Sequence, residues 1–67
     1  MEITLNDKIQ TVSENTFLYE IIFSQLGDLQ KGVAVAVNDS VIPKTNWEKH
    51  IIQSNDHILI IKATQGG

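Results

Sequence analysis

The sequence predicts an α+β domain in which one helix packs on one face of a mixed four- to five-strand sheet. Three observations carry this. Only one stretch has helical hydrophobic spacing, through Leu18, Ile21, Ile22 and Leu26. Two runs, 33–38 and 57–63, are apolar on both faces, so neither face of these strands is simply solvated. Asn-Asp pairs at 6–7, 38–39 and 55–56 mark turns, because both residues tolerate left-handed backbone.

The elements follow in chain order. Residues 2–6 alternate polar and apolar, a strand with Ile3 and Leu5 inward. Asn6-Asp7 turns the chain into a second strand, 8–12, where Ile9 and Val12 are out of phase for one face. A bulge or an early strand end would account for that. Ser13, Asn15 and Thr16 are all good N-cap residues, and Thr16 directly precedes the helical run Phe17–Leu26. Gly27 is the natural C′ residue, and Tyr19 and Phe23 lie one turn apart beside the apolar stripe. After a loop at 28–32, residues 33–38 form a strand. A short strand at Val41-Ile42 is closed by Pro43, which cannot donate to a ladder. Residues 44–50, with Trp47, read as irregular or as a single turn, and 57–63 as the central strand. A helix of this length serves as a crossover, so the first and last strands can lie parallel.

Composition narrows the function. A chain of 67 residues is one domain that buries only about 60% of its unfolded surface, so a deep catalytic cavity is not expected. It has no cysteine, which excludes disulfides, thiolate metal sites and a thiol nucleophile. Net charge is -3, and Lys8, Lys31, Lys44, Lys49 and Lys62 are scattered, so no nucleic-acid partner is expected. No charged region followed by an apolar stretch follows Met1, and no apolar run approaches the ~20 residues of a membrane span. A cytoplasmic protein with no membrane partner is the expectation. His50 and His57 have no triad or metal-ligand spacing around them, and the carboxylates are dispersed. The glycines, at 27, 32, 66 and 67, make no phosphate loop. Trp47 reads as a small-core anchor or a loop plug. No catalytic residue and no bound metal or cofactor is expected.

One helix covers one face of a sheet. Ile3, Leu5, Val33, Val35, Val37, Ile58 and Ile60 are assigned to that side, against the helix stripe. Alternation then sends Ala34, Ala36, Leu59 and Ile61 to the opposite face, where they form a candidate partner-binding patch. The alternative is that the 43–56 loop, with Trp47 and Ile51-Ile52, folds over part of it. The chain then finishes on Thr64-Gln65-Gly66-Gly67. The domain is expected to span 1–63, with 64–67 a flexible C-terminal tail. An incidental, frayed end is one reading of the two glycines. The other is that the Gly67 carboxylate is the reacting group, since a tail without side chains threads a narrow cleft and leaves its carbonyl open to attack.

Residues 33–67 resemble the ThiS family of bacterial sulfur carriers in thiamine thiazole biosynthesis. Asn38, Val41, Ile42, Pro43, Lys44 and Trp47 carry the pattern N-x-x-V-[IV]-P-[RK]-x-x-W, followed by the Asp56–Ile61 segment and Gly66-Gly67. "ITLND" and "TFLYEII" extend the likeness over the first half. Lys44 stands where the family often has Arg, and Thr64-Gln65 where small or apolar residues are common. The resemblance implies the β-grasp, or ubiquitin-like, fold. It implies a protein cosubstrate and not an enzyme. An E1-like adenylyltransferase of the ThiF type would use ATP and Mg to adenylate Gly67. Sulfur from a persulfide, such as that of a cysteine desulfurase, would give the thiocarboxylate. A thiazole synthase of the ThiG type would take the sulfur. The small subunit of molybdopterin synthase and a ubiquitin-like protein modifier are the nearest alternatives, and a plain interaction module a third.

Overall fold

The computed structural model describes residues 1–27 and 32–62. The strands are β1 (Glu2–Leu5), β2 (Lys8–Thr11), β3 (Val33–Val37), β4 (Ser40–Val41) and β5 (His57–Lys62). One helix, α1 (Leu18–Leu26), follows β2, and a 3₁₀ turn, Lys44–Asn46, follows β4. The five strands form one mixed sheet in the order β2-β1-β5-β3-β4. β1 and β5 run parallel and every other pair is antiparallel. This is the β-grasp arrangement, with β5 at the centre.

Both hairpins turn on Asn-Asp. Asn6 and Asp7 have φ of 47 and 68, and Asn38 and Asp39 have 50 and 69. Two consecutive positive φ angles make a two-residue turn whose twist matches that of the strands it joins. Each turn therefore fixes register: Leu5 faces Lys8, and Val37 faces Ser40. The first register explains the misphased residues of β2. Pairing runs without a bulge from Leu5–Lys8 to Glu2–Thr11, and Ile9 sits opposite Thr4 on the face away from the helix, 72% exposed. Val12 lies just past the strand, exchanges hydrogen bonds with Met1 and packs against the core. The second register moves β4 one residue earlier than the sequence suggests, to Ser40–Val41.

The helix begins one residue later than Thr16 implies. Phe17 is the N-cap residue, in extended conformation, and the Thr16 hydroxyl instead donates to the Ser13 carbonyl at 2.6 Å. Glu20 supplies one half of a capping box: its carboxylate accepts the Phe17 N–H at 2.8 Å. Phenylalanine has no acceptor for the other half, so the exposed helix donors are met from elsewhere. Leu18 N–H donates to the His50 carbonyl at 2.7 Å and Tyr19 N–H to the Trp47 carbonyl at 3.0 Å. The loop thus caps the helix. At the far end Gly27 takes φ 59 and ψ -125 and donates to the Phe23 carbonyl. Open space surrounds the position of a Cβ there, so backbone conformation alone selects glycine.

The core lies between α1 and one sheet face. Ile3, Leu5, Val35, Val37, Ile58 and Ile60 come from the sheet, and Leu18, Ile21 and Ile22 from the helix. Val33 and Leu26 are half-buried at its margin. Trp47 and Ile52, each 1% exposed, complete this same core. The 43–56 loop therefore closes the helix side and the helix N-terminus, and the alternative in which Trp47 and Ile52 cover the opposite face is excluded. Trp47 can be buried because its indole N–H donates to the Ile42 carbonyl at 2.9 Å. That bond gives the spacing between Ile42 and Trp47 its physical meaning, and Pro43 between them starts the 3₁₀ turn.

Asp56 is the one buried charged side chain among the described residues, 7% exposed. Its two carboxylate oxygens accept from the Asn38 side-chain amide at 2.9 Å and the Gln53 N–H at 2.8 Å. Asn38 in turn accepts the His57 N–H at 2.9 Å. The second turn is thereby tied to the start of β5.

Two stability outcomes follow. Trp47→Ala should cost about 3–5 kcal/mol, the usual range for emptying a core aromatic site. A domain of this size holds only ~0.05–0.15 kcal/mol per residue, so urea titration should show most of its stability gone. Asp56→Ala leaves the Asn38 amide and the Gln53 N–H without their acceptor and should cost about 1–3 kcal/mol in the same titration.

Candidate functional site

The face of the sheet opposite the helix is open. Leu59 and Ile61 are 47% and 51% exposed, Ala34 is exposed and Ala36 half-buried. Pairing places Ala36 directly opposite Leu59 and Ala34 opposite Ile61, so the four form one block on β3 and β5. The small alanines leave the larger Leu59 and Ile61 side chains accessible from above. All four residues nominated from the sequence thus share one face and touch across one strand pair.

The structure adds two residues to that face. Val41, 71% exposed, sits opposite Ala36 and carries the block onto β4. Ile9 extends the apolar character to the other edge, beyond Thr4 and His57. Both were recoverable from the turns. A two-residue turn at 38–39 pairs 36 with 41, and one at 6–7 pairs 4 with 9.

The tail nominated from the sequence, Thr64, Gln65, Gly66 and Gly67, lies outside the described residues. β5 is described as far as Lys62. β5 outruns β1, which pairs only with His57 and Ile58. Its last residues are held on one edge by β3, with Ala34 opposite Ile61 and Val33 opposite Lys62. On the other edge Asn6 takes over: its N–H donates to the Ile58 carbonyl at 3.0 Å, and its side-chain oxygen accepts the Ile60 N–H at 2.8 Å. Ile61, on the open apolar face, is the neighbour of Lys62, where the described part of β5 stops. The face is therefore adjacent to the last described residue of β5.

Among the described residues no group of three or more His, Cys, Asp or Glu side chains is placed to hold a metal ion. No described helix is long and apolar enough to cross a membrane. His50 is half-buried, and its carbonyl caps α1, while His57 is exposed at the start of β5. The two histidines therefore serve different elements. Tyr19 and Phe23 pack ring to ring at 5.9 Å on the helix.

Comparison with known proteins gives a consistent result. The ThiS family model matches residues 1–67. The chain is 33% identical over 67 residues to the sulfur carrier protein ThiS of Escherichia coli K12, and the alignment covers all of both chains. The crystal structure of the thiamine biosynthesis protein ThiS from Geobacter metallireducens superposes with a TM-score of 0.84, at 22% identity and full coverage of both chains. That likeness establishes the fold. With the family model spanning every residue and a full-length relative above 30% identity, the chain belongs to the ThiS family.

Proposed function

We propose that this chain is a sulfur carrier protein of thiamine biosynthesis, with the Gly67 carboxylate as the group that carries sulfur. The observation that supports this most directly is the alignment with the Escherichia coli sulfur carrier over the whole of both chains, Gly66-Gly67 included.

The chemistry explains why such a chain needs partners. A carboxylate is a poor electrophile. An E1-like adenylyltransferase of the ThiF type transfers AMP from Mg-bound ATP to the Gly67 carboxylate and releases pyrophosphate. The acyl-adenylate carbonyl now has a leaving group. A persulfide sulfur, such as that on a cysteine desulfurase, attacks it; the C–S bond forms and AMP departs. Attack by a thiol on the donor's S–S bond then leaves the thiocarboxylate on Gly67. A thiazole synthase of the ThiG type accepts that sulfur. This chain supplies the reacting terminus and a docking body, and binds no cofactor of its own.

The open face suits the docking role. Ala34, Ala36, Leu59 and Ile61, with Val41 beside them, present apolar surface that reaches the described end of β5. Burial of that surface against a partner would offset the entropy of ordering a glycine tail, about 1–2 kcal/mol per residue.

The test is intact mass after incubation with ATP, Mg, the adenylyltransferase and a persulfide donor. Exchange of one oxygen for sulfur is expected, and it should vanish when Gly67 is deleted while the circular dichroism spectrum stays unchanged. Branched lysine peptides in place of that exchange would identify a protein modifier. Activity with the molybdopterin pathway's adenylating enzyme alone would identify the other carrier class. The docking face is tested separately. Ile61→Glu, at an exposed position, should move stability by no more than about 0.5 kcal/mol, and Ala36→Arg, at a half-buried one, should leave the domain folded in the same measurement. Each should weaken binding to the adenylyltransferase by about tenfold, the equivalent of about 1.4 kcal/mol. Unchanged binding by both would remove the face from the proposal.

A further inference from the structure

Asn6 does more than a turn requires. Its φ of 47 carries the chain away from β5, so the main chain of β1 goes no further. β5 continues, and its β1-facing edge reaches Ile60 with no strand beside it. The Asn6 side chain fills this gap. Its Oδ1 accepts the Ile60 N–H at 2.8 Å, and its Nδ2 points at the Ile60 carbonyl at 3.5 Å. A primary amide carries one acceptor and a donor in the arrangement of a peptide group, so the side chain stands in for one more residue of β1. A left-handed turn alone would be satisfied by glycine.

We infer that Asn6 is a positioning residue for group transfer at the C-terminus: by pairing with Ile60 it holds the last described residues of β5, which the C-terminal residues follow in sequence. This rests on the sulfur-carrier reading. Ile60 lies two residues before Lys62 and on the core side of the strand, while the docking residues Leu59 and Ile61 flank it on the other face. The clamp is thus separate from the docking surface. Without it, the last residues of β5 are held by β3 alone. A strand held on one edge frays, and a reacting group on a misdirected tail reaches its reactive geometry less often. The loss falls on the rate of the bound carrier and leaves docking intact.

The experiment measures pyrophosphate release by the adenylyltransferase against carrier concentration, together with hydrogen exchange at the Ile60 amide and the thermal midpoint. Asn6→Gly keeps the turn and removes the clamp. Asn6→Asp keeps the 2.8 Å acceptor. Asp7→Gly changes the other turn residue and serves as control. For Asn6→Gly, faster Ile60 exchange and a kcat lower by about two- to tenfold are expected, the range of one lost hydrogen bond, with KM within about twofold. Asn6→Asp should restore most of both, and Asp7→Gly should match wild type. A wild-type kcat in Asn6→Gly overturns the inference, as does a raised KM at unchanged kcat or a failure of Asn6→Asp to rescue. If Asn6→Gly does not fold, Asn6→Ser, whose side chain is too short to reach Ile60, makes the same comparison with Asn6→Asp. If the wild-type chain itself drives no pyrophosphate release, the sulfur-carrier reading falls and the positioning role with it. Ile60 exchange in the variants then reports on the clamp by itself.

Discussion

The structure depends on how the central strand is paired. β5 has six residues, and every main-chain donor and acceptor buried along it needs a partner. β3 runs along one edge for five pairs, but β1 offers only two on the other. Turn residues extend both edges, Asn38 that of β3 and Asn6 that of β1. Asn38 takes the His57 N–H at the start of the strand, and Asn6 takes the Ile60 N–H further along. Asn-Asp is less favourable than Asn-Gly for a two-residue turn on backbone grounds. Here the asparagine side chain is used twice, once to tolerate positive φ and once to complete the sheet.

The second constraint is area. A nine-residue helix has one apolar stripe and can shield one face of a five-strand sheet. The domain spends its loop on the same side. The segment after Pro43 brings Trp47 and Ile52 into the core, and two of its carbonyls accept N–H groups at the helix N-terminus. Nothing in the described structure is left for the opposite face, although Leu59, Ile61 and Val41 point there. The residues that a monomer would gain by covering reach the end of the described part of β5, and that continuity couples fold to function in the proposed carrier.

Such a division of labour suits the small carrier proposed above. A short chain without cysteine has little scope to build a catalytic pocket, and the described residues spend their polar side chains on structure. Asp56, buried, holds Asn38 and Gln53; Glu20 holds the helix start; the Trp47 indole holds Ile42. The family pattern beginning at Asn38 is in large part a record of these contacts. Asn38 and Trp47 are folding residues, and Val41 between them faces outward.

The sequence by itself determined what depends on near neighbours. Alternation assigned the residues of the first, third and last strands to their faces, helical spacing marked the buried stripe, and the Asn-Asp pairs located both hairpins, because those signals are set within a few residues. It also allowed the parallel pairing of β1 with β5. Tertiary structure decided what depends on groups far apart in the chain. Thr16 has the better capping side chain, yet Phe17 is the N-cap, because the His50 and Trp47 carbonyls accept the N–H groups of Leu18 and Tyr19. Trp47 faces the helix and not the open side because the Ile42 carbonyl meets its N–H there. Asn6 reaches a residue 54 positions away, a contact that no local pattern encodes. Hydrogen-bonding partners of this kind are chosen only once the sheet has brought the strands together.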